Sequence, residues 1–106
     1  TTKRIVVSIQ NNGTLDFLRP DDVIEISCDL SRDGLKPVTP VKVPTAQKNM
    51  IACVKEYERL AVAAILQQDK SLAVRALMAH PLIGSYSLAK TLVEAYLDDE
   101  QFAAWR

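Results

Sequence analysis

Glycine is scarce in this sequence, with only three residues, and none opens a G-x-G-x-x-G or Walker-type phosphate loop. Neither a dinucleotide nor a nucleoside triphosphate therefore has a recognisable cradle. A serine nucleophile on a G-x-S-x-G elbow is missing as well. Thirteen basic and thirteen acidic residues leave no net charge, so the electrostatic footprint that a phosphate backbone demands is absent and nucleic acid is not expected as a partner. Histidine occurs once, at His80, and cysteine twice, at Cys28 and Cys53. Those three lie too far apart for a metal-ligand motif, and the thiols are expected to be buried and reduced. No apolar run approaches the roughly 20 residues that cross a bilayer, and no charged-then-apolar leader opens the chain. A soluble, cytoplasmic protein with no membrane partner is expected.

What is present suffices for one core. At 106 residues and 48% apolar composition, one domain or part of one is expected. The chain starts at Thr1 without a methionine and runs straight into a strand pattern, so a fragment of something longer is the expectation. Ile5, Val7 and Ile9 share one strand face, Ser8 and Gln10 share the other, and Val6 makes the run partly two-faced. Asn12-Gly13 is a strong turn signal, because both residue types tolerate positive φ. Residues 14–20 read as a loop pinned by apolar Leu15, Phe17 and Leu18, with Pro20 discouraging helix before it. Residues 23–30 carry the cleanest alternation, with Ile24, Ile26, Cys28 and Leu30 opposite Glu25, Ser27 and Asp29. One apolar and one polar face point to an antiparallel sheet covered on one side. Residues 31–34 form a turn, and Pro37 and Pro40 confine residues 36–43 to a sheet edge or irregular extended chain.

After Pro44 the period changes. Thr45 can cap a helix in which Met50, Ile51, Val54, Tyr57, Leu60, Ala61, Ala64 and Ile65 recur at spacings of three and four through about Gln68. Its LAVAAIL half is apolar nearly all round and needs more than one partner. Ser71 can cap a second helix over residues 72–79, and a third covers residues 85–97. Residues 98–106 read as a final turn anchored by Phe102 and Trp105. Strands first and helices after give an α+β fold, a small antiparallel sheet followed by three or four helices.

Few residues offer chemistry. His80 could act as acid or base, but without a paired carboxylate it reads as a helix-end residue. Glu56 and Glu58 do not converge on one helix face and read as solvated charge. Asp21, Asp22 and Glu25 are explained by a loop and an exposed strand face. Asn11 and Asn12 could hydrogen-bond a sugar or phosphate at a loop tip, although a structural turn is the simpler reading.

The ordered features also resemble a known family. The run VVSIQNNGTLDFLRPDDVIEISC is followed by DGLKPV, a VP before the long helix with YERLAVAA, then QQDKSLAVRALMAHPL and AKTLVEAYL. Together these resemble the C-terminal part of family 4 glycoside hydrolases, closest to the 6-phospho-β-glucosidase branch. The resemblance spans residues 4–97.

That resemblance implies an NAD- and divalent-metal-dependent enzyme, the metal commonly Mn²⁺, outside the usual two-carboxylate scheme. NAD oxidises the sugar at C3, the aglycone leaves by elimination, water adds, and hydride returns. It implies an N-terminal Rossmann domain not contained in residues 1–106, a lactate-dehydrogenase-like C-terminal fold, a homo-oligomer and a phosphorylated disaccharide substrate. The family's nucleotide, metal and base motifs lie upstream of the matched region. Cys28, Cys53, His80 and Tyr57 are therefore given none of those roles, and this chain alone is expected to be inactive and to bind neither NAD nor metal. Asn11 and Asn12, in the NNG corner, are the only residues placed near substrate. The alternatives are another family 4 specificity (6-phospho-α-glucosidase or α-galactosidase) or a free-standing, non-catalytic oligomerisation or binding module.

Overall fold

Alternating side chains in the second strand set the register of the sheet. In the computed structural model, which describes residues 1–39 and 42–106, β1 (Lys3–Gln10) and β2 (Val23–Ser31) are antiparallel, with Ile5 opposite Cys28, Val7 opposite Ile26 and Ile9 opposite Ile24. Six apolar residues thus share one face, on which Ile24 and Cys28 are buried, because opposed strand residues project to the same side. A tight turn at Arg32 and Asp33 leads into β3 (Gly34–Pro37), giving the sheet order β1-β2-β3. Extended chain thus begins at Gly34, two residues before the position that the prolines suggested. The rest of that expected stretch at Pro40 and Val41 lies outside the described residues. On the more exposed face Arg4 Nε donates to Asp29 at 2.9 Å. This hydrogen bond, helped by the guanidinium charge, holds the Asp29 carboxyl below its ordinary range. Its contribution is present above the unfolded carboxylate range and is lost as pH falls through the lowered value.

The chain forms two compact units, Thr1–Lys48 and Asn49–Arg106. The sheet and its loops make the first. In the second, three helices form where the apolar period lengthens: α1 (Thr45–Gln67, whose first turn belongs to the first unit), α2 (Lys70–Ala79) and α3 (Tyr86–Tyr96). Thr45 lies inside the first turn of α1 rather than capping it, and the Lys48 N–H bonds the Pro44 carbonyl. The end of α1 has a definite mechanism. Gln68 adopts a left-handed φ of +51°, while its N–H reaches Ile65 O and the Asp69 N–H reaches Ala64 O. That is a Schellman closure built without glycine.

Asp69 then caps α2 by accepting from the Leu72 N–H at 3.1 Å. The expected Ser71 cap is corrected, since Asp69 stands three residues before Leu72 and its carboxylate also favours the positive helix end. Ser85, where the third helix is expected to begin, caps α3 instead, accepting from Leu88 N–H at 3.4 Å. A closing 3-10 turn at Glu100–Phe102 follows, and Phe102 packs edge-on against Trp105 at 6.1 Å. The backbone of Arg106 bonds both Gln68 and Lys70, fastening the tail to the α1–α2 corner.

The core of the second unit is built from small residues. Ala64, Ala76, Ala89 and Val93 are its buried apolar side chains. Alanines leave room: Tyr57, Ala61 and Ala64 of α1 face Ala76 of α2 and Val93 of α3 around a cavity of about 330 Å³. The all-round apolar half of α1 is only partly covered, with Val62, Ile65 and Leu66 exposed. Replacing Gln68 by glycine is expected to raise the helical unfolding midpoint, by about 1 kcal/mol of stability. Relief of the left-handed strain outweighs the added freedom of the unfolded chain. Urea unfolding followed by circular dichroism measures it, and an unchanged or lowered midpoint contradicts the assignment of strain there.

Candidate functional site

The corner joining β1 to β2 concentrates the polar groups that could meet a ligand. Its two asparagines have opposite placements. The Asn11 N–H donates to Asp22 O at 2.7 Å, extending the strand ladder by one pair, and its side chain is wholly buried. Both donors of its amide are engaged, to the carbonyls of Leu15 and Arg19 at 3.0 Å each, while Oδ1 accepts from the Leu15 N–H at 2.8 Å. Asp22 closes the other end, its carboxylate accepting from the Arg19 N–H at 2.9 Å. Asn12 and Gly13 are both left-handed, with φ of +45° and +86°, as the Asn-Gly signal predicted. The Asn12 N–H donates to Pro20 O at 2.9 Å, and its side chain is exposed at the tip.

Beside the corner lies an open cleft of about 470 Å³, where Gln10, Asn12 and Thr14 meet the apolar side chains of Ile9, Leu35 and Pro37. A polar rim over an apolar wall suits the edge and face of a sugar ring. Residues 14–20 form a loop in which Leu15, Phe17 and Leu18 are half-buried, and polar fasteners, Asn11 and Asp22, join them. Asp21, Asp22 and Glu25 are expected on a loop and an exposed strand face; Asp21 and Glu25 are exposed, but Asp22 is corrected to a buried position. The available signal was the known tendency of Asn and Asp side chains to bond backbone groups a few residues along.

The other titratable groups have structural partners. His80 caps α2, its Nδ1 accepts from the Leu82 N–H at 3.1 Å, and its ring stands edge-on to Tyr57 at 4.8 Å. An accepting Nδ1 places the proton of the neutral ring on Nε2. Glu56 and Glu58 form pairs with Arg59 and Lys55 at 3.1 and 2.8 Å, which is the solvated-charge reading. Cys28 is a buried free thiol, whereas Cys53 is a free thiol on the exposed side of α1, correcting the expectation that both are interior. Among the described residues no three His, Cys, Asp or Glu side chains converge.

A small antiparallel sheet followed by three helices defines the α+β class of this chain. Comparison with known proteins makes that specific. Residues 1–83 match the model of the family 4 glycosyl hydrolase C-terminal domain, and the chain belongs to that family. It is 36% identical over 93 residues to the 6-phospho-beta-glucosidase BglT of Thermotoga maritima, an alignment covering 88% of this chain and 22% of that protein. A solved structure of the Thermotoga maritima 6-phospho-beta glucosidase with manganese, NAD+ and glucose-6-phosphate superposes with a TM-score of 0.79 at 34% identity. It covers 94% of this chain and 25% of the other. A 6-phospho-alpha-glucosidase from gut microorganisms, in complex with NAD and glucose-6-phosphate, superposes with a TM-score of 0.82 at 26% identity, covering 98% and 23%. The chain thus spans about a fifth of the length of the curated relatives it matches, and both anomeric classes share its fold.

Asn11→Asp tests the buried amide. The new carboxylate oxygen would face two carbonyls, so the loop loses about 1–3 kcal/mol or more at neutral pH. Because the folded state favours the protonated acid, its folded pKa lies above the unfolded one. The defect should therefore be smallest below the unfolded value, where one O–H replaces the two amide donors, and grow as pH rises through the folded value. Denaturant midpoints across an acid-to-neutral series measure this, and a pH-independent defect contradicts the assigned amide orientation.

Proposed function

We propose that this chain is the C-terminal part of a cytoplasmic, homo-oligomeric 6-phospho-glucosidase acting on phosphorylated disaccharides or aryl glycosides, with β-glucosides its preferred class. The observation that carries this reading is the family match over residues 1–83 together with the 36% identity to a 6-phospho-beta-glucosidase. The nucleotide and metal chemistry belongs to an upstream Rossmann domain of the same polypeptide, which would hold NAD and Mn²⁺. This chain contributes shape: its sheet covers one side of the site, and the β1–β2 corner presents its tip to substrate. Within that corner Asn11 sets the backbone and Asn12 offers the exposed amide, which can both donate to and accept from a sugar hydroxyl or phosphate.

The deciding experiment compares the parent polypeptide with the 106-residue chain, using chromogenic 6-phospho-β- and 6-phospho-α-glucosides. The parent should carry a glycine-rich nucleotide motif upstream and hydrolyse the β-substrate only with NAD and Mn²⁺ present. The chain alone should hydrolyse neither substrate and give no calorimetric heat with NAD or Mn²⁺. Activity or tight cofactor binding in the chain alone, or an upstream frame without the nucleotide motif, overturns the proposal, and preference for the α-substrate overturns the anomeric assignment. In the parent, Asn12→Ala is expected to lower kcat/KM about tenfold, the equivalent of one hydrogen bond to substrate. Unchanged kinetics would remove Asn12 from the site.

A further inference from the structure

The chain has three asparagines, Asn11, Asn12 and Asn49, and only Asn12 is followed by glycine. They differ in how firmly the next peptide is held. Asn49 lies inside α1, where the following N–H belongs to the helical ladder. Asn11 is wholly buried, its amide makes three hydrogen bonds, and the N–H that follows it donates to Pro20 O. The Asn12 side chain is exposed. Among the described residues no group bonds that side chain, the Asn12 carbonyl or the Gly13 N–H. The Thr14 N–H to Asn11 O bond at 2.9 Å closes the turn around this peptide, and flipping the central peptide of such a turn leaves that bond in place. Space is open as well, since a Cβ built on Gly13 would meet nothing within 4 Å. The other acidic-or-amide residue before a glycine, Asp33, is placed differently, because Gly34 stands opposite Ser31 in the β2–β3 ladder.

We propose that Asn12 is a site of spontaneous deamidation in the folded chain, through a succinimide formed with Gly13. The Gly13 nitrogen attacks Cγ of Asn12, the new C–N bond closes the ring, and the amide nitrogen leaves as ammonia, carrying the proton that the Gly13 nitrogen gives up. Water then opens the ring. Addition at Cγ breaks the bond just made and leaves an aspartate at position 12. Addition at the backbone carbonyl breaks the original peptide bond and leaves an isoaspartate, with the chain running through the former side chain. Solvent water is the only co-reactant, and nothing is oxidised or reduced. Ring closure requires the Gly13 nitrogen to swing onto Cγ, a rotation that costs no hydrogen bond here and that glycine, lacking a Cβ, does not obstruct. Either product puts a negative charge into a cleft whose lining side chains are all uncharged. On the reading that this tip meets substrate, the new carboxylate would accept hydrogen bonds but no longer donate them, so the same event would age the site. The ring chemistry does not depend on that reading.

Incubating the purified 106-residue chain in heavy-oxygen water and mapping the label by peptide mass spectrometry tests this. Position 12 is expected to take up label as aspartate and isoaspartate, faster as pH rises because the attacking nitrogen must lose its proton. Asn11 and Asn49 should keep their amides. The rate at position 12 should lie within about tenfold of that in an unstructured QNNGTL peptide, a barrier difference of no more than about 1.4 kcal/mol. Asn12→Gln keeps the amide but requires a larger ring, so it should abolish the conversion. Its unfolding midpoint checks that the corner still forms, and the left-handed Gln68 shows that this fold accommodates glutamine at positive φ. Two results overturn the proposal. An amide retained at position 12 under conditions that convert the peptide would mean that the folded corner locks the Asn12–Gly13 peptide. Label spread over all three asparagines would mean that reaction follows unfolding and not the open turn.

Discussion

The first unit depends on one buried amide. Between β1 and β2 the chain makes a ten-residue excursion, residues 12–21, that contains no helix or strand. Such a loop has backbone groups that need partners, and here one side chain supplies three of them. Asn11 is suited to this because an amide presents donors and an acceptor in one plane. A carboxylate would lack the donors, and a lysine would lack the acceptor. The amide fixes the distance between the loop's two ends, and so it fixes the Asn11 to Asp22 pair from which the strand register runs. A one-residue slip would transfer Ile24 and Cys28 from the covered face to the open one.

The second unit solves a different problem in a less economical way. Its helices end through backbone geometry and side-chain caps, at Gln68, Asp69 and Ser85, and these fix where each helix stops and the next begins. Their shared interior, however, is lined largely by alanine. Small side chains bury little apolar surface each, of the order of 25 cal/mol per Å², and they leave the cavity beside Tyr57 and Val93. The larger apolar groups of α1, Val62, Ile65 and Leu66, consequently stand outside. The apolar density that a 106-residue chain needs for a core is present, but much of it is not used within this unit.

Periodicity made the regular elements legible. The alternation of residues 23–30 gave the correct faces and the antiparallel sense, and the Asn-Gly pair gave the turn. The helical spacings after Pro44 located three helices to within a residue or two. What sequence could not reveal was which polar side chains turn inward. Asp69 and Ser71 are equally plausible caps by residue type, and only the left-handed Gln68 just before decides between them. Asn11 and Asn12 are neighbours of identical chemistry, yet one is wholly buried and the other exposed. The difference arises from carbonyls at Leu15 and Arg19, whose positions no local pattern encodes. Asp22 was misassigned for the same reason. Cys53 was misassigned because a small apolar side chain on a helix carries no label for the face it occupies.

Satisfied polar groups also set what this chain can offer a ligand. A catalytic group must keep a lone pair or proton available to substrate. Here His80 uses Nδ1 on Leu82, the Asn11 amide serves the loop, and the carboxylates of Glu56 and Glu58 hold neighbouring cations on their own helix. What stays available at the corner is a rim of neutral hydrogen-bonding groups, Gln10, Asn12 and Thr14, over Ile9 and Leu35. Neutral amides and hydroxyls recognise hydroxyl-rich ligands without stabilising a developing charge strongly, so such a rim contributes to binding and orientation. In the parent enzyme proposed above, redox and metal chemistry would come from an upstream partner, while this unit would give the substrate an edge to rest against.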